Sequence, residues 1–281
     1  MTILYAPDFP HAEGATLIEP QLAHAAFAPC RAPMQELLTL LGVRVPVDDG
    51  SSEPLGWVPL WRVRPGQALV HEGAAVDHIH VVRSGSLKCV RVWEDGYEQV
   101  LALAGRGDLI GFESLSRARH LTGAVALEDA TVYALAVREV EAMRRRCPSF
   151  DRALLLATSR QLAAAGQIAE MLAPVSAETR LARFLVWYAE RMAERGESPR
   201  RLRLRMPRRD LASLLGVAHE TVSRSFSFLA GAGVLRVDNR EVEIVDRDGL
   251  LACTRSTRTG NAESALRAAQ AGRSASTEVA S

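Results

Sequence analysis

The chain has 281 residues, 48% apolar and 24% charged, which suits two domains that each bury a core. Its net charge of +1 excludes a globally basic nucleic-acid binder, so any such role must rest on a local patch. No apolar run reaches membrane-spanning length, the first residues lack a basic-then-apolar leader pattern, and Cys30, Cys89, Cys147 and Cys253 are scattered without a CxxC; no membrane partner, a cytoplasmic setting and free thiols are therefore expected.

Residues 1–55 read as a proline- and alanine-rich extension, partly flexible around 48–54, with one amphipathic segment at 34–41. From 57 to 136, short β-rich runs alternate with turn signals. The runs are 59–63, 67–71, 79–83, 87–93, 99–104, 121–126 and 130–136; the turns include Pro65-Gly66, Ser84-Gly85 and Asp95-Gly96. This pattern predicts an antiparallel jelly roll or closed β-barrel over 56–146. His78 and His80 share one face of a predicted strand, a spacing with which jelly-roll metal sites of the cupin class begin. Those sites need a Glu about four residues on, where Ser84 and Gly85 stand, and His71 is the nearby candidate for a third ligand. The pair is expected as polar residues on a half-exposed strand, with no metal.

A long helix is predicted over 147–174. Leu154, Thr158, Gln161, Ala165, Ile168 and Leu172 recur at alternating four- and three-residue steps, a heptad-like seam suited to dimerisation. The alternative is a helix packed on its own barrel. Pro174 ends it, Ser176 caps the next helix over 177–195, and Gly196 terminates that one. Arginines then alternate with Leu202, Leu204 and Met206 over 198–209, a strand pattern with one solvated face. Between 199 and 224, seven arginines stand against Asp210 and Glu220, a local charge of 7 − 2 = +5.

Residues 208–245 read as helix, turn, helix and β-hairpin. Leu211, Leu214 and Leu215 form one apolar face, Gly216 the turn, and Val222, Phe226 and Leu229 the inward face of a helix over 219–230. Asp238-Asn239-Arg240 joins two short strands as a wing. Glu220, Thr221, Ser223 and Arg224 are left on the outer face, near the helix start, where a helix-turn-helix reads base edges in the major groove. Arg224 suits guanine O6 and N7, Glu220 a cytosine amino group, and Ser223 a neighbouring base. Arg208, Arg209 and Thr221 are candidates for phosphate contacts. Ala218 stands where a capping hydroxyl would serve the second helix, and Pro207 suits the start of the first. Residues 252–281 are poor in large apolar residues and are expected to be disordered, with a short alanine-rich helix near 262–271 as an option.

The fold class expected is thus α+β: an N-terminal jelly roll, a long dimerisation helix and a C-terminal winged helix-turn-helix over 175–251. Glu-Thr-Val-Ser-Arg at 220–224, with Pro65-Gly66, Arg83-Ser84-Gly85 and Gly107-Asp108-Leu109-Ile110-Gly111-Phe112, resembles the Crp/Fnr family of bacterial transcription regulators, and its Fnr-like branch in particular. The resemblance spans roughly 57–251. It implies a cyclic-nucleotide-binding-like sensor domain and a homodimer on double-stranded DNA of the form TTGAT-N4-ATCAA. It also implies an activator working with RNA polymerase rather than an enzyme, although the residues themselves leave activation against repression open.

The chain departs from the family at both of its sensing chemistries. Cys30 is alone where a cysteine cluster holds an iron–sulfur centre, and Tyr133 stands at the fourth ligand position. The Arg-Ser pair that grips a cyclic nucleotide is replaced near Leu121 and Thr122, with Arg117 and Arg119 out of register. No cofactor is expected, and the signal stays unidentified: constitutive binding, a gas or haem ligand, and cysteine oxidation are all open. The competing reading is a cupin-like metal-binding enzyme with an accessory DNA-binding domain.

Overall fold

The structure is a computed structural model and describes residues 30–43 and 56–255. It opens with β1 (Cys30–Pro33), paired antiparallel to β2 (Trp57–Val63), and α1 (Met34–Leu40). These elements lie within the expected N-terminal extension, whose amphipathic segment at 34–41 forms α1. Leu37, Leu38 and Leu41 are fully buried, so the amphipathic face of α1 finds a partner in the outer surface of a sheet. The stretch 48–54 lies outside the described residues.

The expected β-rich region follows as β3 (Ala68–Val70), β4 (His78–Ser84), β5 (Ser86–Val92), β6 (Glu98–Gly105), β7 (Leu109–Ile110), β8 (Gly123–Ala126) and β9 (Ala130–Ala136). They form two antiparallel sheets, β1-β2-β9-β4-β7 and β3-β8-β5-β6. The result is a jelly roll of two facing sheets and not a closed barrel. Val63, Val82, Leu87, Ile110, Ala124 and Val132 fill the space between the sheets. Gly85 is required in the β4–β5 turn: its φ is +83°, and a Cβ there would lie 2.6 Å from the Asp129 carbonyl oxygen.

Three helices then carry the chain away: α2 (Val137–Arg146), α3 (Pro148–Met171) and α4 (Ala177–Glu194). The helix of α2 was not expected from sequence; its arginine-rich C-terminal turn hid a single buried contact, Val140. Ser176 caps α4, accepting from the Thr179 amide at 3.3 Å. Then come β10 (Arg201–Arg203), α5 (Arg208–Leu215), α6 (His219–Gly231), β11 (Leu235–Asp238), β12 (Glu241–Ile244) and α7 (Arg247–Thr254).

The long strand expected over 198–209 shrinks to β10, the edge of a three-stranded wing ordered β10-β12-β11. The Arg-Met-Pro at 205–207 ends it, since proline leaves no amide for a ladder. Disorder expected from 252 gives way to α7. Asp246 caps that helix at the Gly249 amide, 3.0 Å away, and Cys253 is fully buried beneath α4. Residues 256–281, with the optional helix near 262–271, lie outside the described residues.

Both outer faces of the jelly roll are covered. Ile79, Val81, Tyr133 and Leu135 on the five-stranded sheet pack on α1, α2 and α3. Val90 and Val100 on the four-stranded sheet join a core shared with α4, α5, α6 and the wing. The C-terminal half of the chain is therefore seated directly on its own jelly roll.

The dimer seam needs a correction. Leu154 is 4% exposed and packs in the α1–sheet core, and Gln161 donates to the Leu109 carbonyl at 3.1 Å. Both face the protein's own jelly roll. Leu155 and Leu162, at 70% and 75% exposed, lie on the free face instead. Ala165 and Leu172 remain exposed, and Ile168 is half-buried.

Candidate nucleic-acid interface

The α5–α6 pair takes its shape from local sequence. Leu211, Leu214 and Leu215 are buried on α5, and Val222, Phe226 and Leu229 on α6, as their periodicity requires. Gly216 sits at the α5 C-cap with φ +61°, a left-handed turn that turns the chain into α6. The α6 N-cap is Ala218, which offers no side-chain acceptor. Asn239, at φ +50°, makes the wing hairpin.

Glu220, Ser223 and Arg224 are exposed together on the first turns of α6, with Thr221 half-buried beside them. The Arg224 guanidinium donates to the Thr221 hydroxyl at 3.3 Å, which orients it along the helix face. The Ser223 hydroxyl donates back to the His219 carbonyl at 3.4 Å. A charged donor, a carboxylate acceptor and a small hydroxyl on one exposed helix start are the chemistry that base edges require.

The structure divides the phosphate candidates. Arg209 has an 82%-exposed side chain, with only a 4.0 Å contact to Asp210. Arg208 is turned inward: it stacks 3.6 Å over the Phe226 ring and donates to the Asn239 carbonyl at 2.7 Å. Burial holds its pKa below the usual arginine value. Its role is to tie the wing turn to α5 and α6, not to lie open as a cation. Much of the local +5 is likewise neutralised. Arg201 and Arg203 pair with Glu243 and Glu241 across the wing, and Arg205 pairs with Glu128 and Glu197.

The sequence reading missed the contact between this unit and the jelly roll. Lys88 on β5 reaches Asp210 on α5 at 2.9 Å, with both side chains under 10% exposed, and Glu98 at 3.2 Å. Ser213 accepts from the Val100 amide at 2.9 Å and from the Tyr97 hydroxyl at 3.0 Å, and donates to the Glu98 carbonyl at 3.2 Å. Arg191 on α4 pairs with Asp108. Asp210 and Ser213 look like ordinary helix-surface polars in the sequence; their i, i+3 spacing, which puts two polar side chains on one face of α5, was the available signal.

The residues of the other sensing chemistries are placed as follows. Cys30 is exposed on β1, and Tyr133 is buried on β9. Arg117 closes the 3-10 turn Phe112–Arg117, and Arg119 donates to the Gly73 carbonyl at 2.9 Å. His80 is not on a half-exposed face: it is 2% exposed, pointing between the sheets, with the Trp61 ring 5.1 Å and the His78 ring 6.1 Å away. Among the described residues no group of three His, Cys, Asp or Glu side chains is placed to hold a metal ion. Burial pushes the Cys89 thiol up to about 12, which suits packing and not thiolate chemistry.

Comparison with known proteins agrees with this geometry. The family described as Crp-like helix-turn-helix domain matches residues 179–253, and that described as cyclic nucleotide-binding domain matches 60–147. The chain is 32% identical to the transcriptional regulatory protein btr of Bordetella pertussis, over 67% of this chain and 78% of that one. It is 30% identical to the fumarate and nitrate reduction regulatory protein of Escherichia coli strain K12, over 70% and 78%. Among solved structures, FixK2 from Bradyrhizobium japonicum superposes with a TM-score of 0.64 at 25% identity, covering 71% of this chain and 98% of that one.

Proposed function

The chain belongs to the Crp/Fnr family of DNA-binding transcription regulators, and from that premise we propose that it reads a TTGAT-N4-ATCAA-like site as a homodimer through α6. The observation that carries this is the shared exposure of Glu220, Ser223 and Arg224 at the start of α6, beside a wing. Arg224 takes the half-site guanine with its two-pronged guanidinium, Glu220 accepts from a cytosine amino group, and Ser223 meets the neighbouring base. Arg209 and Thr221 hold phosphates and set register.

Two copies pair along α3, placing their recognition helices about one helical turn of DNA apart. The seam is the line Leu155, Thr158, Leu162, Ala165, Ala169 and Leu172, spaced three and four residues apart and exposed at every position but the half-buried Thr158. Residues 30–146 form the sensing unit, α3 the dimer helix, and 175–255 the DNA-reading unit. The setting is the cytoplasm, with RNA polymerase as the partner on DNA.

The test is binding of the purified full chain to a TTGAT-N4-ATCAA duplex beside a scrambled duplex, at one fixed near-physiological salt. Selective binding is expected. Arg224→Ala should cost about 1–3 kcal/mol and relax preference at the guanine. Equal affinity for both duplexes, with or without the Arg224 side chain, would refute the half-site.

A further inference from the structure

A cleft of about 370 Å³ opens between α1 and the outer face of the five-stranded sheet. Gln35, Glu36 and Thr39 line it from α1, Arg83 from β4, Arg106 from the β6–β7 turn, and Tyr133 from β9. It lies on the opposite side of that sheet from the space between the two sheets. We propose that this cleft binds a small ligand bearing an oxyanion, a carboxylate or a phosphate, held by Arg106, Arg83 and the Tyr133 hydroxyl.

Three observations carry the assignment. Tyr133 is fully buried, yet its hydroxyl sits beside Glu36 and Arg83 without closing a well-formed hydrogen bond to either. A buried hydroxyl left in that state is unfavourable, and an acceptor placed in the cleft relieves it. Arg106 is exposed, makes no ion pair among the described residues, and donates to the Arg83 carbonyl only at 3.4 Å. Two guanidinium groups against the one carboxylate of Glu36 leave the lining at 2 − 1 = +1. Glu36 already occupies Arg83 at 2.7 Å, so an internal carboxylate shows that this fork accepts an oxyanion here. The volume falls in the range of small-molecule sites, roughly 300–1,000 Å³.

The cleft is also wired to the moving parts, and this portion rests on the regulator reading. The turn that carries Arg106 continues through Asp108, which pairs with Arg191 of α4, and Leu109, whose carbonyl accepts from Gln161 of α3. The far end of α1 is held by Arg160 of α3, donating to the Leu41 carbonyl at 3.0 Å. A ligand that draws Arg106 toward Tyr133 therefore bears on both the dimer helix and the DNA-reading unit, and shifts their balance by its differential affinity for the two arrangements.

Calorimetric titration of the full chain with inorganic phosphate and with citrate, at matched ionic strength and without DNA, tests the site. Saturable binding of at least one probe is expected, weakened about tenfold or more in Arg106→Gln. Tyr133→Phe, which removes only the oxygen, should weaken it as well, with the melting curve confirming that the variant folds. Binding of phosphate alone assigns a phosphorylated ligand, and of citrate alone a carboxylate. Failure of both probes to saturate, or equal binding by Arg106→Gln, overturns the site while leaving the DNA reading untouched. A probe that saturates the cleft yet leaves the affinity for the selected duplex unchanged overturns the coupling.

Discussion

His80 shows how a single side chain sets a pH response. It is buried between the sheets, and neither ring nitrogen has a hydrogen-bond partner among the described residues. Burial, with a smaller contribution from the neighbouring His78 and His120, pushes its pKa down from 6.5 to about 3. The native state thus holds a neutral imidazole that the unfolded chain protonates more readily. The folded pKa is the lower one, so this group costs nothing above 6.5 and withdraws stability as pH falls from there toward 3. The slope is at most about 1.4 kcal/mol per pH unit. Urea melts across this window should show falling stability in the native chain and a flatter profile in His80→Leu. His120, whose pKa burial also lowers, leaves a residual slope. An unchanged profile in His80→Leu would mean that the cavity admits water or relaxes around the charge.

At the scale of elements, α3 shows what periodicity can and cannot decide. The helix and its three-four repeat were legible, because apolar spacing is a local property. The phase was not. Leu154 and Leu155 are adjacent leucines, and only the position of the sheet decides which one faces inward. Gln161, a polar residue fitting for a seam, instead satisfies the Leu109 carbonyl. The exposed line through Leu155 and Leu162 predicts that Leu162→Glu abolishes self-association in sedimentation equilibrium while leaving the monomer fold intact. A native-like dimer in that variant would place the interface elsewhere.

The recognition helix was legible for the same local reason, down to Val222, Phe226 and Leu229. By contrast α7 and β1 were hidden: Cys253 and Cys30 owe their placement to partners far away in the chain, α4 and β2. Arg208 was misjudged because a basic residue beside a helix-turn-helix suggests phosphate. The Phe226 ring that captures it is a tertiary neighbour.

At the scale of the molecule, the four-stranded sheet and the helix-turn-helix unit share one core, with a buried ion pair at its edge. Val90 and Val100 of the sheet pack with Leu211, Leu214 and Leu215 of α5 in the same cluster. Separating the units would expose that apolar surface to water, so the chain should unfold in one cooperative transition with coincident probes from both halves. Removing one member of the buried pair leaves the other charge uncompensated. Lys88→Met should destabilise by about 3–5 kcal/mol, and adding Asp210→Leu should restore most of that loss, as apolar replacement of both members often does. Chemical denaturation of the two variants measures both effects; equal stability of Lys88→Met and the native chain would show that water already reaches Asp210. These residues lie more than a hundred positions apart, which is why no reading of local pattern found them.

Lys88 is also the one lysine in the chain, the other 33 of its 34 basic residues being arginine. Apart from the terminal α-amino group, its ε-amine is therefore the sole site for reagents that acylate amines, and it lies 7% exposed against α5. Acylation at that amine requires the Lys88–Asp210 contact to open. Its rate, followed by peptide mass spectrometry, becomes a clock for that opening that needs no engineered label. Effector or DNA that holds the units together will slow the clock, and whatever releases α5 will quicken it. The single lysine thus gives the protein a built-in chemical reporter of the contact between β5 and α5.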